Sequence, residues 1–384
     1  MEFNILKAEE FCDSVKDGTH DSPKKTNKGY KLITSKHIRE YNLDLDNSYC
    51  ISEEDYNKIN QRSQVEKNDI LYSMIGTIGL IYRVKENPDY AIKNIGLFKL
   101  KDELKSKWLY YYLKTPKMKK YIKSLLSGST QQYITLKNLR ELPIEVPANI
   151  ENMKEIVKIL ESIDKKIELN NKTNNNLYEI MKLNFNQWVE SLKDYELSNL
   201  SSIAYYKNGL AMQKYRAVNE DGLPVIKIKE MNSGISAETE KCKSNIDKDV
   251  IINNGDVLFA WSGTLCMTIW SGGKAGLNQH IFKVTSNKYP KWFYYFWTLK
   301  HLDNFIQIAA GKATTMGHIK RGELDSSEVL IPNENELKKM NNIMTPMLDK
   351  YISNKVENEM LMKLRDTLLP KLMNGEIELK YVST

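Results

Sequence analysis

The sequence predicts an α+β chain built twice over, with two similar globular units separated by two long helices in a pseudo-two-fold tandem repeat. Three observations predict it. Motifs recur in the same order at a spacing near 185 to 190 residues. Within each copy, short apolar segments punctuated by Gly, Asn and Ser precede a basic helical stretch. After a proline, each copy then turns into a long run with a single apolar seam.

The elements follow in chain order. VKDG (15–18) matches YKNG (206–209), and YKLITSKHI (30–38) matches LPVIKIKEM (223–231), both read as strands. NDILYSMIGTIG (68–79) matches GDVLFAWSGTLC (255–266), so Asp69, Leu71, Gly76 and Thr77 correspond to Asp256, Leu258, Gly263 and Thr264. The run from Val257 to Gly273 is too short and too rich in Ser, Gly and Thr to span a membrane, and reads as strands around a turn. NIGLFKL (94–100) matches NQHIFKV (278–284), and WLYYYLK (108–114) matches WFYYFWTLK (292–300) in the basic helices. GSTQQYITLKNLRELPIEVP (128–147) then matches GKATTMGHIKRGELDSSEVLIP (311–332), both copies ending on a proline, Pro147 and Pro332.

Beyond those prolines the apolar spacing is that of a helix. Met153, Ile156, Leu160, Ile163 and Ile167 step by three and four, as do Leu337, Met340, Met344, Met347 and Tyr351. The second seam is expected to resume at Leu361, Leu364 and Leu368 after a polar patch at Asn354 and Asn358, with Pro346 as a kink. Asn170, Asn171 and Asn174 to Asn176 are expected to interrupt the first. A stretch of ~35 residues is about 50 Å long. A narrow seam cannot bury itself, and the nearest complement is the other copy's, so the two are expected to pair; the alternative is that each helix packs back on its own unit. The boundaries read as 1–148 and 194–333 for the globular units, and 149–193 and 334–384 for the helical regions.

Composition narrows the function. With 384 residues, 41% hydrophobic and 27% charged, the chain can bury several cores, and it is neither disordered nor fibrous. Cys12, Cys50, Cys242 and Cys266 lie far apart with no C-x-x-C pair, which suits a reducing cytoplasm, and no export or membrane segment is visible. The net charge of +7 is modest, but residues 101–140 hold ten Lys or Arg against two acids and residues 272–321 hold eight against one. Two basic, Tyr- and Lys-rich units suit a bipartite double-stranded DNA site; protein scaffolding and repeat-driven dimerisation are the competing classes.

Catalytic signatures are missing from the sequence. Asn87-Pro88-Asp89-Tyr90 has Asp where an adenine methyltransferase loop needs a second proline, and reads as a turn before Ala91. Gly311-Lys312 lacks the upstream glycine and the following hydroxyl of a P-loop. Pro88-Asp89 with Glu103 and Lys105 could form a Mg²⁺ nuclease set, but the second copy has no counterpart. The five histidines have no zinc-hydrolase spacing, so no metal site is expected.

The candidates for DNA contact are polar and basic loops. Gly18, Thr19 and His20 form a turn beside Lys24, Lys25 and Lys28. Ser129, Thr130, Gln131 and Gln132 offer amides that fit adenine, while Lys312, Thr314 and Thr315 in the second copy offer a cation and hydroxyls. Different chemistry at equivalent places would read different half-sites. Lys36, Lys207 and His318 join the set, as do Lys227 and Lys229, which alternate along an expected strand. Lys114, Lys117, Lys119, Lys120 and Lys123 suit phosphates or a solvated helix face.

The order KDGTHDSP (16–23), GYKLITSKHI, NDILYSMIGTIG, GSTQQYITLKNLRELPIEVP and a long helix, then a second round closing in LRDTLLPKLMNGEIEL (364–379), resembles the DNA-specificity subunit of Type I restriction-modification systems across essentially the whole chain. The resemblance implies two target recognition domains, each reading one half of a split sequence, and two helices forming an antiparallel coiled coil that acts as a ruler. It implies a non-catalytic subunit in the cytoplasm that docks two methyltransferase subunits and, where present, restriction subunits that translocate DNA. S-adenosylmethionine, ATP and Mg²⁺ would belong to those partners, with no cofactor on this chain. Many relatives carry Glu-Gln after the proline, whereas here Glu151 is followed by Asn152 and the second copy has Glu334-Asn335-Glu336. A stand-alone DNA-binding or anti-restriction protein, or an interaction scaffold, is the alternative.

Overall fold

Four consecutive residues buried on both faces of a sheet organise each copy. In the computed structural model, which describes residues 1–39, 42–128, 132–217, 221–311 and 317–377, the chain divides into two units. One comprises residues 1–168 with residues 362 onward, the other residues 169–361.

In the first unit, Ile70–Ser73 is the buried strand. Ile70 and Tyr72 face one core, with Phe98, Trp108 and Leu109, while Leu71 faces a second, with Ile33, Ile92 and Leu97. The period of two sends alternate side chains to opposite faces. The strand pairs antiparallel with Ile81–Arg83 on one side and Ile95–Lys99 on the other, and the latter pairs with Ser14–Asp17. In the second unit Val257–Ala260 takes the same place, flanked by Cys266–Ile269 and by Ile281–Thr285, which pairs with Tyr205–Asn208. A smaller sheet also recurs. Tyr30–Ile33 runs parallel to Tyr90–Ile92 and antiparallel to Cys50–Ile51; Leu223–Ile226 runs parallel to Ala275–Leu277 and antiparallel to Lys241–Cys242. Two-stranded ribbons, Phe3–Lys7 with Pro143–Pro147 and Tyr195–Asn199 with Glu328–Pro332, complete the correspondence. The duplication seen in motifs is thus a duplication of topology.

Register corrects one detail of the motif match. By letters Phe98 falls on Phe282, but in the sheets Phe98 stands opposite Ile70 and Val284 opposite Val257. The true offset is two residues longer, which keeps every side chain on its own face.

The helices differ where one proline dictates. The basic segment of the first unit is two helices, Glu103–Lys114 and Pro116–Ser124, because Pro116 has no N–H to continue the ladder and Thr115 caps the second helix through Met118 N. The second unit has one helix, Lys291–Gly311. Trp108 and Trp292 sit at matching places, fully buried, their indoles donating to Glu145 O and Asn341 Oδ1.

The long helices are Ile150–Ser191 and Glu334–Met373. Each starts behind an asparagine. Asn149 Oδ1 accepts from Glu151 N, and Asn333 Oδ1 from Glu336 N, satisfying donors that a helix start leaves free. The second runs on through Pro346, and the asparagines expected to interrupt the first do not. In each unit the two helices pack antiparallel. Met153, Ile156 and Leu160 share the first unit's core with Leu369, Leu372 and Met373. Met181 and Phe185 share the second unit's core with Met340, Met344 and Leu348. Ile163 and Ile167 are buried as the seam requires, and Leu337, Met347 and Tyr351 are half-buried against the second core.

The resumed seam at Leu364 is a correction. Leu364 is exposed, and Arg365 takes the inward position, 3.0 Å from Asp164 Oδ1, whose other oxygen accepts from Tyr111 at 3.0 Å. A charge takes the inward position here because the buried Asp164 carboxylate pairs with it. Burial and the neighbouring Asp164 raise the Tyr111 phenol, so it stays a donor.

Within the second unit, the asparagines form a buried polar layer. Asn170 donates to Asn358 Oδ1 at 2.9 Å and to Glu357 at 2.8 Å, Asn358 donates to Asn171 at 2.8 Å, and Asn354 donates to Asn174 Oδ1 at 2.9 Å. Asn174 donates in turn to Tyr351 O at 3.0 Å. Asn170 and Asn354 are 184 positions apart, as are Asn174 and Asn358, and Trp108 and Trp292. The layer is therefore self-complementary, each asparagine meeting the counterpart of the other.

Removing one member strands its partner in the core. Asn354→Leu is expected to lower stability by about 1–3 kcal/mol, because the Asn174 oxygen loses its donor. Asn174→Leu combined with Asn354→Leu is expected to recover most of that loss. Thermal melting of the full-length variants checks this, and a double mutant that merely summed two losses would contradict it.

Candidate nucleic-acid interface

Sheet register decides which loops meet. In the first unit, Asp17 stands opposite Gly96 and Ser73 opposite Ile95, so the turn after Asp17, the turn before Ile95 and the loop after Ser73 all leave one end of one sheet. Gly18 is buried there, its N–H donating to Ile95 O, and a Cβ on it would lie 2.4 Å from Ile92 O. It offers no surface to a ligand; it lets the chain pass close enough to present Thr19 and His20. His20 is 63% exposed and bridges Asp17 Oδ2, 2.9 Å from Nε2, and Asn94 Oδ1, 2.8 Å from Nδ1. The second oxygen of buried Asp17 accepts from Arg62. Thr19 and Lys24 line an open cleft of about 700 Å³ with Lys58 and Arg62. Lys25 lies over the Tyr49 ring at 5.2 Å, and Lys28 and Lys36 are exposed.

The loop after Ser73 turns at Gly76, whose φ of +79° and open surroundings suit glycine. It carries a second loop on main-chain bonds. Ile134 N donates to Met74 O at 3.0 Å, and Ile75 bridges to Tyr133. Gln132 is thereby brought beside Gly76, Gly79, Lys119 and Lys123 around a cleft of about 320 Å³. Lys119, Lys120 and Lys123 are exposed, whereas Lys117 is paired with Glu145 and Lys114 donates to Tyr110 at 2.7 Å. Ser129, Thr130 and Gln131 lie outside the described residues, as do Lys312, Thr314 and Thr315 in the second copy.

The second unit repeats the scaffold with other side chains. A Cβ on Gly209 would lie 2.1 Å from Leu277 O. Gly263, at φ +77°, donates to Gly317 O at 2.9 Å, Ile319 N donates to Trp261 O at 3.1 Å, and Ser262 bridges to His318. His318 is half-buried and packs edge-on to Trp261, which also meets His280; Gln279 Nε2 is 3.1 Å from His280 Nε2. Lys207 is exposed and pairs with Asp247 and Asp249 at 3.5 and 3.6 Å.

Lys227 and Lys229 require a correction. The strand ends at Ile226, and Lys227 instead caps the helix Ile228–Ser233, its N–H donating to Glu230. Strand alternation therefore does not apply to them. They reach solvent paired with Glu240 and Glu238.

Arg62, Trp261 and His280 were missed by motif reading. Arg62 lies on a helix, Glu53–Ser63, that the second copy lacks, so no repeat marked it. His280 and Trp261 stand within matched motifs, but only the fold brings His318 to them. Burial pushes the Cys12 thiol up to about 12, away from the sheet end, and raises the Cys266 thiol beside the Gly263 turn. Among the described residues no cluster of His, Cys, Asp and Glu could hold a metal, and no helix is long and apolar enough to cross a membrane.

The family model for the Type I restriction modification DNA specificity domain matches twice, over residues 2–179 and 192–361. The Type I restriction enzyme MjaIX specificity subunit of Methanocaldococcus jannaschii is 25% identical over 348 residues, covering 82% of this chain and 78% of that protein. The HindI specificity subunit of Haemophilus influenzae is 22% identical over 164 residues, 41% of this chain and 36% of that one. The crystal structure of the Type I restriction-modification S subunit from M. genitalium superposes with a TM-score of 0.57 at 17% identity, over 99% of this chain and 97% of that one. That likeness is one of fold.

The two glycine types separate experimentally. Gly18→Ala is expected to destabilise by about 1–3 kcal/mol, since backbone must move to admit the methyl. Gly76→Ala meets no atom and is expected to cost only the left-handed strain, about 1–2 kcal/mol, with the sheet intact. Urea unfolding with a tryptophan probe measures both, and equal losses with a disrupted core in each would refute the distinction.

Proposed function

Because this chain belongs to the Type I restriction-modification DNA specificity family, and is a specificity subunit of that kind, we propose that each unit reads one half of a split double-stranded DNA target through the loops at its sheet end. The observation that carries this reading is the matched placement of those loops with unmatched chemistry. After the paired glycines, Thr19 and His20 stand where Leu210 and Ala211 do. On the turn before Ile95 and Ile281, Lys93 and Asn94 stand where Asn278, Gln279 and His280 do, and on the bonded loop Gln132 and Tyr133 stand where Gly317 and His318 do. A shared scaffold supplies a shared docking geometry, and different donors and acceptors select different bases. The exposed Lys119, Lys120 and Lys123 would hold phosphates, an affinity that falls steeply with salt.

The chain is then non-catalytic, with 1–148 and 194–333 as the recognition domains and the helical regions as ruler and docking surface. Its partners are two methyltransferase subunits and, where present, restriction subunits. They would bring S-adenosylmethionine, ATP and Mg²⁺ into the cytoplasmic complex.

Adenine methylation mapped in cells with and without the chain tests the reading. A split motif that disappears with the chain is expected, and an unchanged methylome would overturn it. Inserting seven residues into each long helix, beside Asn174 and Asn354, adds roughly 10 Å to both. The unspecified spacer is expected to lengthen by about three base-pair steps of 3.4 Å while both half-sequences stay the same. Unchanged spacing would argue against the ruler.

A further inference from the structure

We infer that Arg62 is a base reader belonging to the first copy alone, held by the buried carboxylate of Asp17 so that its guanidinium faces an adjacent pair of acceptors, O6 and N7 of a guanine. The inference rests on the sheet end being the DNA-facing surface. Arg62 sits in the last turn of Glu53–Ser63, and its Nη2 donates to Asp17 Oδ1. His20 takes the other carboxylate oxygen, and Arg62 meets Asp17 through a single nitrogen. The remaining N–H groups of Arg62 have no partner among the described residues, and the side chain is 58% exposed. An arginine fixed at one nitrogen and open at the others is an oriented fork, and a planar fork matches the major-groove edge of guanine.

Two further observations favour a base over a phosphate. Asp21 and Asp55 line the same cleft as Thr19, Lys24, Lys58 and Arg62, which weakens its pull on a backbone anion. A phosphate clamp would also serve both copies equally, yet this device is confined to one. Asn208 stands where Asp17 does, with its Oδ1 buried and without a partner among the described residues. Between Lys241–Cys242 and Ile251–Ile252, the second copy has only the short turn Lys248–Val250 in place of the arginine's helix.

The test maps adenine methylation in cells expressing the full-length chain with its methyltransferase partner, as wild type, Arg62→Gln, Arg62→Lys or Asp17→Asn, at matched protein levels. Arg62→Gln and Arg62→Lys are expected to relax one base position in one half of the motif, by about ten-fold or more in discrimination, leaving the other half intact. Asp17→Asn, which installs the second copy's residue, is expected to relax the same position less. A motif unchanged in Arg62→Gln overturns the inference. So does an even loss at all sites, the signature of a phosphate contact, and so does a motif kept intact by Arg62→Lys, since lysine has charge without the fork. If the wild type itself yields no split motif, the specificity reading fails instead.

Discussion

The strand buried on both faces, Ile70–Ser73 in one unit and Val257–Ala260 in the other, is the constraint from which the rest follows. Its alternate residues belong to different cores, so a slip of one position would exchange the contents of both. A strand that cannot slip holds its end fixed. The turns that leave that end, at Gly76 and Gly263, inherit the fixity, and so do the loops bonded to them. Asp69 and Asp256 reinforce the entry to the strand, each accepting from a lysine of the neighbouring strand, Lys99 and Lys283, at 3.0 Å.

Much of this was legible in the sequence because duplication prints the same physical demand twice. Gly18 with Gly209 and Gly76 with Gly263 recur where close backbone or a left-handed turn favours glycine, and Trp108 with Trp292 recur as fully buried indoles that each find an acceptor. The apolar seams were readable for the same reason up to Tyr351. Reading failed where the protein departs from the apolar rule. Arg365 stands where the apolar rule puts a leucine because Asp164, itself held by the Tyr111 hydroxyl, compensates its charge, and a buried ion pair has no periodic signature. Lys227 and Lys229 were misplaced because a strand and a one-turn helix differ there only by the cap that Glu230 provides.

The candidate surface was legible in outline and hidden in detail. Glycine turns and the basic windows pointed to loops that the fold gathers at one end of each sheet, while Arg62 and His280 join that surface only through contacts that no local motif shows, Arg62 with Asp17 and His280 with Trp261. Such pairings depend on sheet register, which no local pattern specifies. The asparagine layer is intermediate. Its residues were noticed as breaks in the seam, while their role as partners is set by antiparallel packing in the second unit.

One detail of the loop anchorage reaches beyond geometry. Met74 and Ile134, and Trp261 and Ile319, are joined through main-chain atoms, as are Gly263 and Gly317. Amide-to-carbonyl bonds are indifferent to side-chain identity. Away from the glycines that the turns require, side chains on these loops can therefore change while their attachment persists.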